Sequence, residues 1–213
     1  MTAARSVEHA EHFESLERQA HAARLGMWVF LATEVLLFGA AFALFLTYQV
    51  QFSHAFRAGV AHNTKVLGSV NTAVLLLSST LVACAVHALR RGDAKLAARL
   101  VGGTIALGLT FLVIKGIEYG KHFDEGIYPG GVGHYFTLHP IRGLAAFWTL
   151  YFGMTALHAL HVTIGAGVLG VLLHAIVRGR LGRETAYRLE VGAIYWHLVD
   201  VIWIFLWPLF YLA

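Results

Sequence analysis

The chain of 213 residues is 58% hydrophobic and only 13% charged. An average soluble domain carries roughly 25% charged residues, so an ordinary soluble enzyme is excluded. The formal charge of +4 does not signal nucleic acid, because Lys and Arg lie in short links between apolar runs rather than in one patch. The single cysteine, Cys84, sits inside an apolar run, which leaves no internal disulfide and no cysteine-based metal or iron–sulfur site.

In chain order, residues 1–24 are polar and acidic, unlike a cleavable signal peptide. Within them Glu8, Glu11, Glu14 and Glu17 recur every three residues, as on the solvated face of a short helix. Five apolar runs follow, at about 25–48, 66–89, 100–119, 144–177 and 191–213. A hydrocarbon core of about 30 Å is crossed by about 20 residues at 1.5 Å each, so every run is long enough. The expected fold is all-α: a polytopic bundle of five transmembrane helices, with 1–24 as a cytoplasmic segment and 25–213 as the membrane domain. The fourth run would be about 51 Å long and must tilt or project from the bilayer. The tail and the longest link, 120–143, are too short for an independent soluble domain, so function must reside in the bilayer or in partner subunits. An odd number of spans disfavours the paired inverted repeats of many secondary transporters.

The basic residues orient the bundle. With the N-terminus inside, the inner segments hold 11 Lys and Arg, including Arg24, Arg90 and Arg183, and the outer ones hold four: Arg57, Lys65, Lys121 and Arg142. The positive-inside rule then places the N-terminus inside and the C-terminus outside. Trp28 near the inner boundary, with Tyr48, Tyr119, Trp148, Trp207 and Tyr211 near the outer one, fits an interfacial aromatic belt. Gly126, Pro129, Gly130, Gly131 and Gly133 mark a turn-rich external loop. Small residues at Gly39, Ala40, Ala43, Gly165, Gly167 and Gly170 would let helices, or a lipid chain, approach closely.

A charge at the centre of a membrane helix costs about 2.5–3.5 kcal/mol on insertion scales, so the intramembrane polar residues carry the most information. Glu34 lies about 14 Å along the first span, close to mid-bilayer, and Asp200 lies at a similar depth in the fifth. His158 and His161 fall near the middle of the fourth, and His197 precedes Asp200 by three residues. Three explanations stand: hydrogen bonding between helices, a proton or ion route, and ligation of a haem or metal. Two haem ligands three residues apart on one helix cannot reach opposite sides of one iron, so His158 would need His197 or His87 opposite it. At the end of the third span, Lys115 and Glu118 are expected to form an ion pair with the Lys snorkelling outward. Asn71, with Ser69 and Thr72, is expected to bond between helices. The chain has no phosphate-binding glycine loop, nucleophile elbow or H-E-x-x-H metal motif.

These residues resemble subunit III of the haem-copper respiratory oxidases, short five-helix form. The similar segments are Gly-Met-Trp-Val-Phe-Leu-Ala-Thr-Glu-Val-Leu-Leu-Phe at 26–38, Val-Asn-Thr-Ala-Val-Leu-Leu-Leu-Ser-Ser at 70–79, and Glu118-Tyr119 followed by Gly126-Ile127-Tyr128. His158-Ala-Leu-His161-Val-Thr-Ile-Gly165 and Tyr195-Trp-His-Leu-Val-Asp200-Val-Ile-Trp203 complete the set, in the family's order. The resemblance implies an accessory subunit of a proton-pumping terminal oxidase that reduces oxygen to water. It implies no redox centre in this chain and no catalytic or metal-ligating residue. Haem and copper are expected in the partner catalytic subunits, and the expected partners are catalytic subunit I, subunit II and small subunits. By resemblance Glu34 is the carbodiimide-reactive membrane glutamate, and the bundle binds phospholipid and supports proton uptake and durability of the catalytic subunit. The polar residues carried over are Glu34 and Asp200 as intramembrane carboxylates, and Asn71, Glu118, His158, His161 and His197 as lipid-contacting or helix-packing groups. The chain lacks the first two helices of the seven-helix form, a pair that the catalytic subunit supplies in some relatives. A cytochrome c oxidase in a bacterial inner membrane is the first expectation, and a quinol oxidase or a relative associated with nitric oxide reductases the second. A proton-coupled transporter and a membrane haem protein are the alternatives of another class.

Overall fold

The computed structural model describes residues 15–212, whose regular structure is entirely helical, with no strand among them. The helices are α1 (Leu16–Gln51), α2 (Ser53–His62), α3 (Lys65–Arg90), α4 (Ala94–Asp124), α5 (His134–Leu138), α6 (Leu144–Val177) and α7 (Ala186–Tyr211). Five of them, α1, α3, α4, α6 and α7, are long and apolar enough to cross a membrane. They correspond to the five predicted runs, and α6 spans the residues expected of the fourth. α1 starts well before the first run: Ser15 caps it by accepting from the Arg18 amide, and Glu17 lies in its first turn. The short helix expected before the first span is, at Glu17, the first turn of that span itself, while Glu8, Glu11 and Glu14 lie outside the described residues.

Helix ends are set by local chemistry. α3 closes with Gly92 at φ +88°, its amide donating to Leu89 and the Asp93 amide reaching back to Ala88, so the last carbonyls are satisfied. Asp93 then caps α4 by accepting from the Leu96 amide at 2.9 Å. This three-residue joint folds α3 back on α4 as a tight helical hairpin. α4 ends in the same way at Gly126 (φ +74°), with Gly126 donating to Phe123 and Ile127 to His122. Ile127 is fully buried, which pins the following loop to the bundle.

α7 is the central helix, packing against α3, α6 and α1, while α4 also packs on α6. Its Trp196, 1% exposed, fits where two other helices present glycine. A Cβ on Gly108 of α4 would stand 2.6 Å from the indole, and one on Gly165 of α6 would stand 2.9 Å from it. The indole nitrogen donates to Ser78 of α3 at 3.0 Å, so one side chain joins four helices. A Cβ added at Gly39, Gly167 or Gly170 would meet nothing within 4 Å, so of the glycines in the small-residue set only Gly165 serves close packing inside this chain. α1 is the peripheral span, presenting Leu25, Val29, Val35, Leu36 and Leu46 outward.

Overpacking the tryptophan slot will destabilise the bundle. Gly108→Leu and Gly165→Leu should each cost about 1–3 kcal/mol. Gly102→Leu, where nothing lies within 4 Å of the added carbon, should leave the unfolding temperature of the detergent-solubilised chain unchanged.

Candidate functional site

The most completely paired polar group of the bundle is the Lys115 ammonium, buried at 4% exposure. It donates to Glu118 Oε2 at 3.1 Å, Tyr151 Oη at 3.0 Å and Tyr211 Oη at 3.0 Å. Both phenols in turn donate to Glu118 Oε1, at 2.7 and 2.6 Å. All three ammonium protons and both carboxylate oxygens therefore have partners, supplied by α4, α6 and α7. The outward snorkelling expected of Lys115 does not occur, because the inward phenols offer acceptors that lipid cannot. Two of the expected belt residues are likewise core: Trp148 and Tyr211 are fully buried, whereas Trp28 is exposed. Their rings pack in the aromatic layer around this ion pair, where they exclude lipid and water.

Glu34 meets a partner from a distant helix. His161 Nε2 lies 2.8 Å from Glu34 Oε2, and His161 Nδ1 lies 2.8 Å from the Leu157 carbonyl. The two ring nitrogens thus have one partner each, and the pair, with side chains only 10% and 13% exposed, joins α1 to α6. Next to it an apolar groove runs between α1 and α7, lined by Val35, Phe38, Phe42, Leu198, Val201 and Phe205.

The two motif segments at 70–79 and 195–203 face each other across α3 and α7. Trp203 Nε1 donates to Thr72 Oγ1 at 3.1 Å, and Ser79 Oγ lies 2.6 Å from His197 Nδ1. Asp200, 3% exposed, lies beside Ser79 with neither carboxyl oxygen in a hydrogen bond. Asn71, at 0% exposure, also makes no side-chain hydrogen bond, so Thr72 performs the helix-to-helix bonding expected of Asn71. His158 is enclosed edge-on to Phe111 and tilted against Trp203, with both ring nitrogens unpartnered. His158 and His161, expected on one face, part company: one enters the core and the other reaches α1. His158 sits in an aromatic box, His197 is turned to Ser79, and His87 lines a shallow groove with Cys84. Among the described residues these separate surroundings offer no pair of imidazoles facing one haem-sized space. Nor does any hydrogen-bond chain among them link Glu34 and His161 to Asp200.

The bundle ends carry further charged groups that sequence spacing did not single out. Glu190 Oε2 accepts from Arg24 at 2.8 Å and pairs with Arg90 at 2.7 Å. This joins the tail, the second link and the fourth link, the three basic segments, at one end of the bundle. The other end holds His62, whose Nε2 lies 2.6 Å from Glu125 Oε2, beside His122. On α5, Tyr135 packs edge-on to His62, and burial followed by the Glu125 carboxylate pushes its hydroxyl above the ordinary phenol range. No local pattern links residues as far apart as 62 and 125, or 115 and 211.

Truncating one member of the ion pair leaves an uncompensated buried charge, which costs about 3–5 kcal/mol. Lys115→Met and Glu118→Leu should therefore each destabilise strongly, while the double replacement recovers most of the loss. A double-mutant cycle in detergent unfolding reads the coupling directly.

The chain matches the family model described as cytochrome c oxidase subunit III over residues 6–213. Among curated proteins it is similar to quinol oxidase subunit 3 of Bacillus spizizenii, at 32% identity over 97% of both chains. It is also similar to quinol oxidase subunit 3 of Bacillus subtilis, at 30% over 97% of both. The probable quinol oxidase subunit 3 of Staphylococcus haemolyticus is 28% identical over 89% of this chain and 88% of its own. Five helices long and apolar enough to cross a membrane and a match over nearly the whole length agree: the chain belongs to the cytochrome c oxidase subunit III family, the third subunits of the haem-copper oxidases.

Proposed function

We propose that this chain is the third subunit of a bacterial quinol oxidase of the haem-copper class. The observation that carries this reading is the correspondence over 97% of both chains with proteins named quinol oxidase subunit 3. It reverses the order of the sequence expectation, which put cytochrome c first as electron donor. In this reading the chain holds no redox centre. Haem and copper belong to the partner catalytic subunits, subunits I and II are the expected partners, and this chain braces the catalytic subunit and supports its proton uptake.

The described geometry supports an accessory role. Lys115 and Glu118 are consumed in internal bonding, and the separate settings of His158, His197 and His87 favour no haem. The exposed apolar face of α1 and the groove beside Glu34 suit phospholipid chains or a partner helix. The basic cluster of Arg24 and Arg90 belongs to the cytoplasmic side, with the N-terminus inside, the C-terminus outside and the protein in the bacterial inner membrane.

Co-purification from native membranes tests the assignment. The complex should contain haem-bearing catalytic subunits and consume oxygen with a reduced quinol. Turnover with reduced cytochrome c and none with quinol would overturn the donor assignment.

Glu34→Gln keeps the shape and a hydrogen-bonding group toward His161 but removes an exchangeable carboxyl proton. The assembled oxidase should retain oxygen reduction in this variant and lose at most part of its proton-uptake support or durability. Abolished oxygen reduction in a fully assembled, haem-replete complex would instead make Glu34 an obligatory relay. Topology is read separately: a reporter fused after Ala213 should be active outside the cytoplasm.

A further inference from the structure

We propose that His62, His122 and Glu125 form a binding site for a divalent transition-metal ion of the zinc class, at the end of the bundle where α2 meets the C-terminus of α4. One potential ligand atom from each residue lies within 4.8 Å of the other two. His62 Nε2 is 2.6 Å from Glu125 Oε2, and His122 Nδ1 is 4.0 Å from the same oxygen. Zinc holds imidazole nitrogen and carboxylate oxygen at about 2.0–2.2 Å, which places neighbouring ligands of a tetrahedron about 3.3–3.5 Å apart. Binding would open the short His62 contact and draw His122 closer to the same oxygen.

The second observation is the state of His122. Its side chain is 7% exposed, yet neither nitrogen has a hydrogen-bond partner. Trp148, Tyr151 and Phe152 wall it in with aromatic edges and faces. A buried imidazole without partners is costly, and a metal on Nδ1 supplies one while fixing Nε2 as N–H. The backbone prepares the rest. The glycine-terminated end of α4 holds His122 and Glu125 three residues apart on one face, and the carbonyl end of the helix dipole favours a cation there. His62, the last residue of α2, is brought against them from the connection between the first two spans.

Two imidazoles and one carboxylate are the donor set of open zinc sites, with the remaining position left to water. Side-chain exposures of 30% for His62 and 49% for Glu125 leave the site reachable from solvent. Such an ion would be exchangeable, and it would clamp α2 to the end of α4. The inference concerns this chain alone and does not depend on the electron donor.

The test uses the full-length chain, purified in detergent and stripped with a chelator, then dialysed against zinc chloride with bound metal read by atomic absorption. One zinc per chain is expected, with a rise in unfolding temperature. His62→Ala and Glu125→Gln should each weaken binding at least as much as loss of an outer-shell partner does, about 10–100-fold. His122→Phe keeps an aromatic ring in the same box and should lose binding while retaining helicity by circular dichroism. His139→Ala, outside the triad, should bind as the parent chain does. Absence of zinc uptake by the parent chain at submillimolar zinc would overturn the proposal. So would affinity unchanged in a folded His62→Ala/Glu125→Gln double variant.

Discussion

A lysine ammonium in a membrane bundle has to find acceptors from protein, and Lys115 finds three. Glu118 supplies the countercharge from the next turn of the same helix, and Tyr151 and Tyr211 supply hydroxyls from two others. Because each phenol also donates to the carboxylate, the cluster is neutral and closed. α4, α6 and α7 can therefore meet at this level only in one register: sliding any of them by a turn would strand a charge in a medium of low dielectric. The aromatic packing of Trp148, Tyr151, Trp203 and Phe210 around it follows from the same need to exclude water.

From that layer back toward its N-terminus, α7 organises the bundle by alternating apolar wedges with polar links. Trp196 fills the space left by Gly108 and Gly165 and bonds Ser78, while Trp203 bonds Thr72 and His197 meets Ser79. The closing aromatic-rich motif and the asparagine-containing motif are thus two halves of one interface. Packing and hydrogen bonding, the forces that associate membrane helices in the absence of a hydrophobic drive, are both concentrated there. α1 is held differently, by Glu34 with His161 and by Arg24 with Glu190, and keeps a broad apolar face. α3, α4, α6 and α7 are thus interlocked, while α1 leaves an exposed apolar face, in keeping with a subunit of a larger oxidase complex.

Much of this architecture was legible in the sequence because the bilayer imposes a length. Runs of twenty or more apolar residues have few alternatives to a spanning helix, and five of them determined an all-α bundle, the 34-residue fourth helix included. Motif order from 26 to 203 pointed to the family, the spacing of Lys115 and Glu118 to an ion pair, and the mid-membrane carboxylates Glu34 and Asp200 to positions that call for a partner, which the structure supplies for Glu34 and not for Asp200. Tertiary structure alone decided who those partners are. His161 rather than His158 meets Glu34, Lys115 turns inward to phenols 36 and 96 residues away, and Trp148 and Tyr211 are core rather than interface. Helical periodicity specifies which residues share a face, but the rotation and pairing of whole helices depend on contacts between distant segments. The convergence of His62, His122 and Glu125 is of that kind: it exists only because a glycine-terminated helix end and the short helix α2 after the first span come together in space.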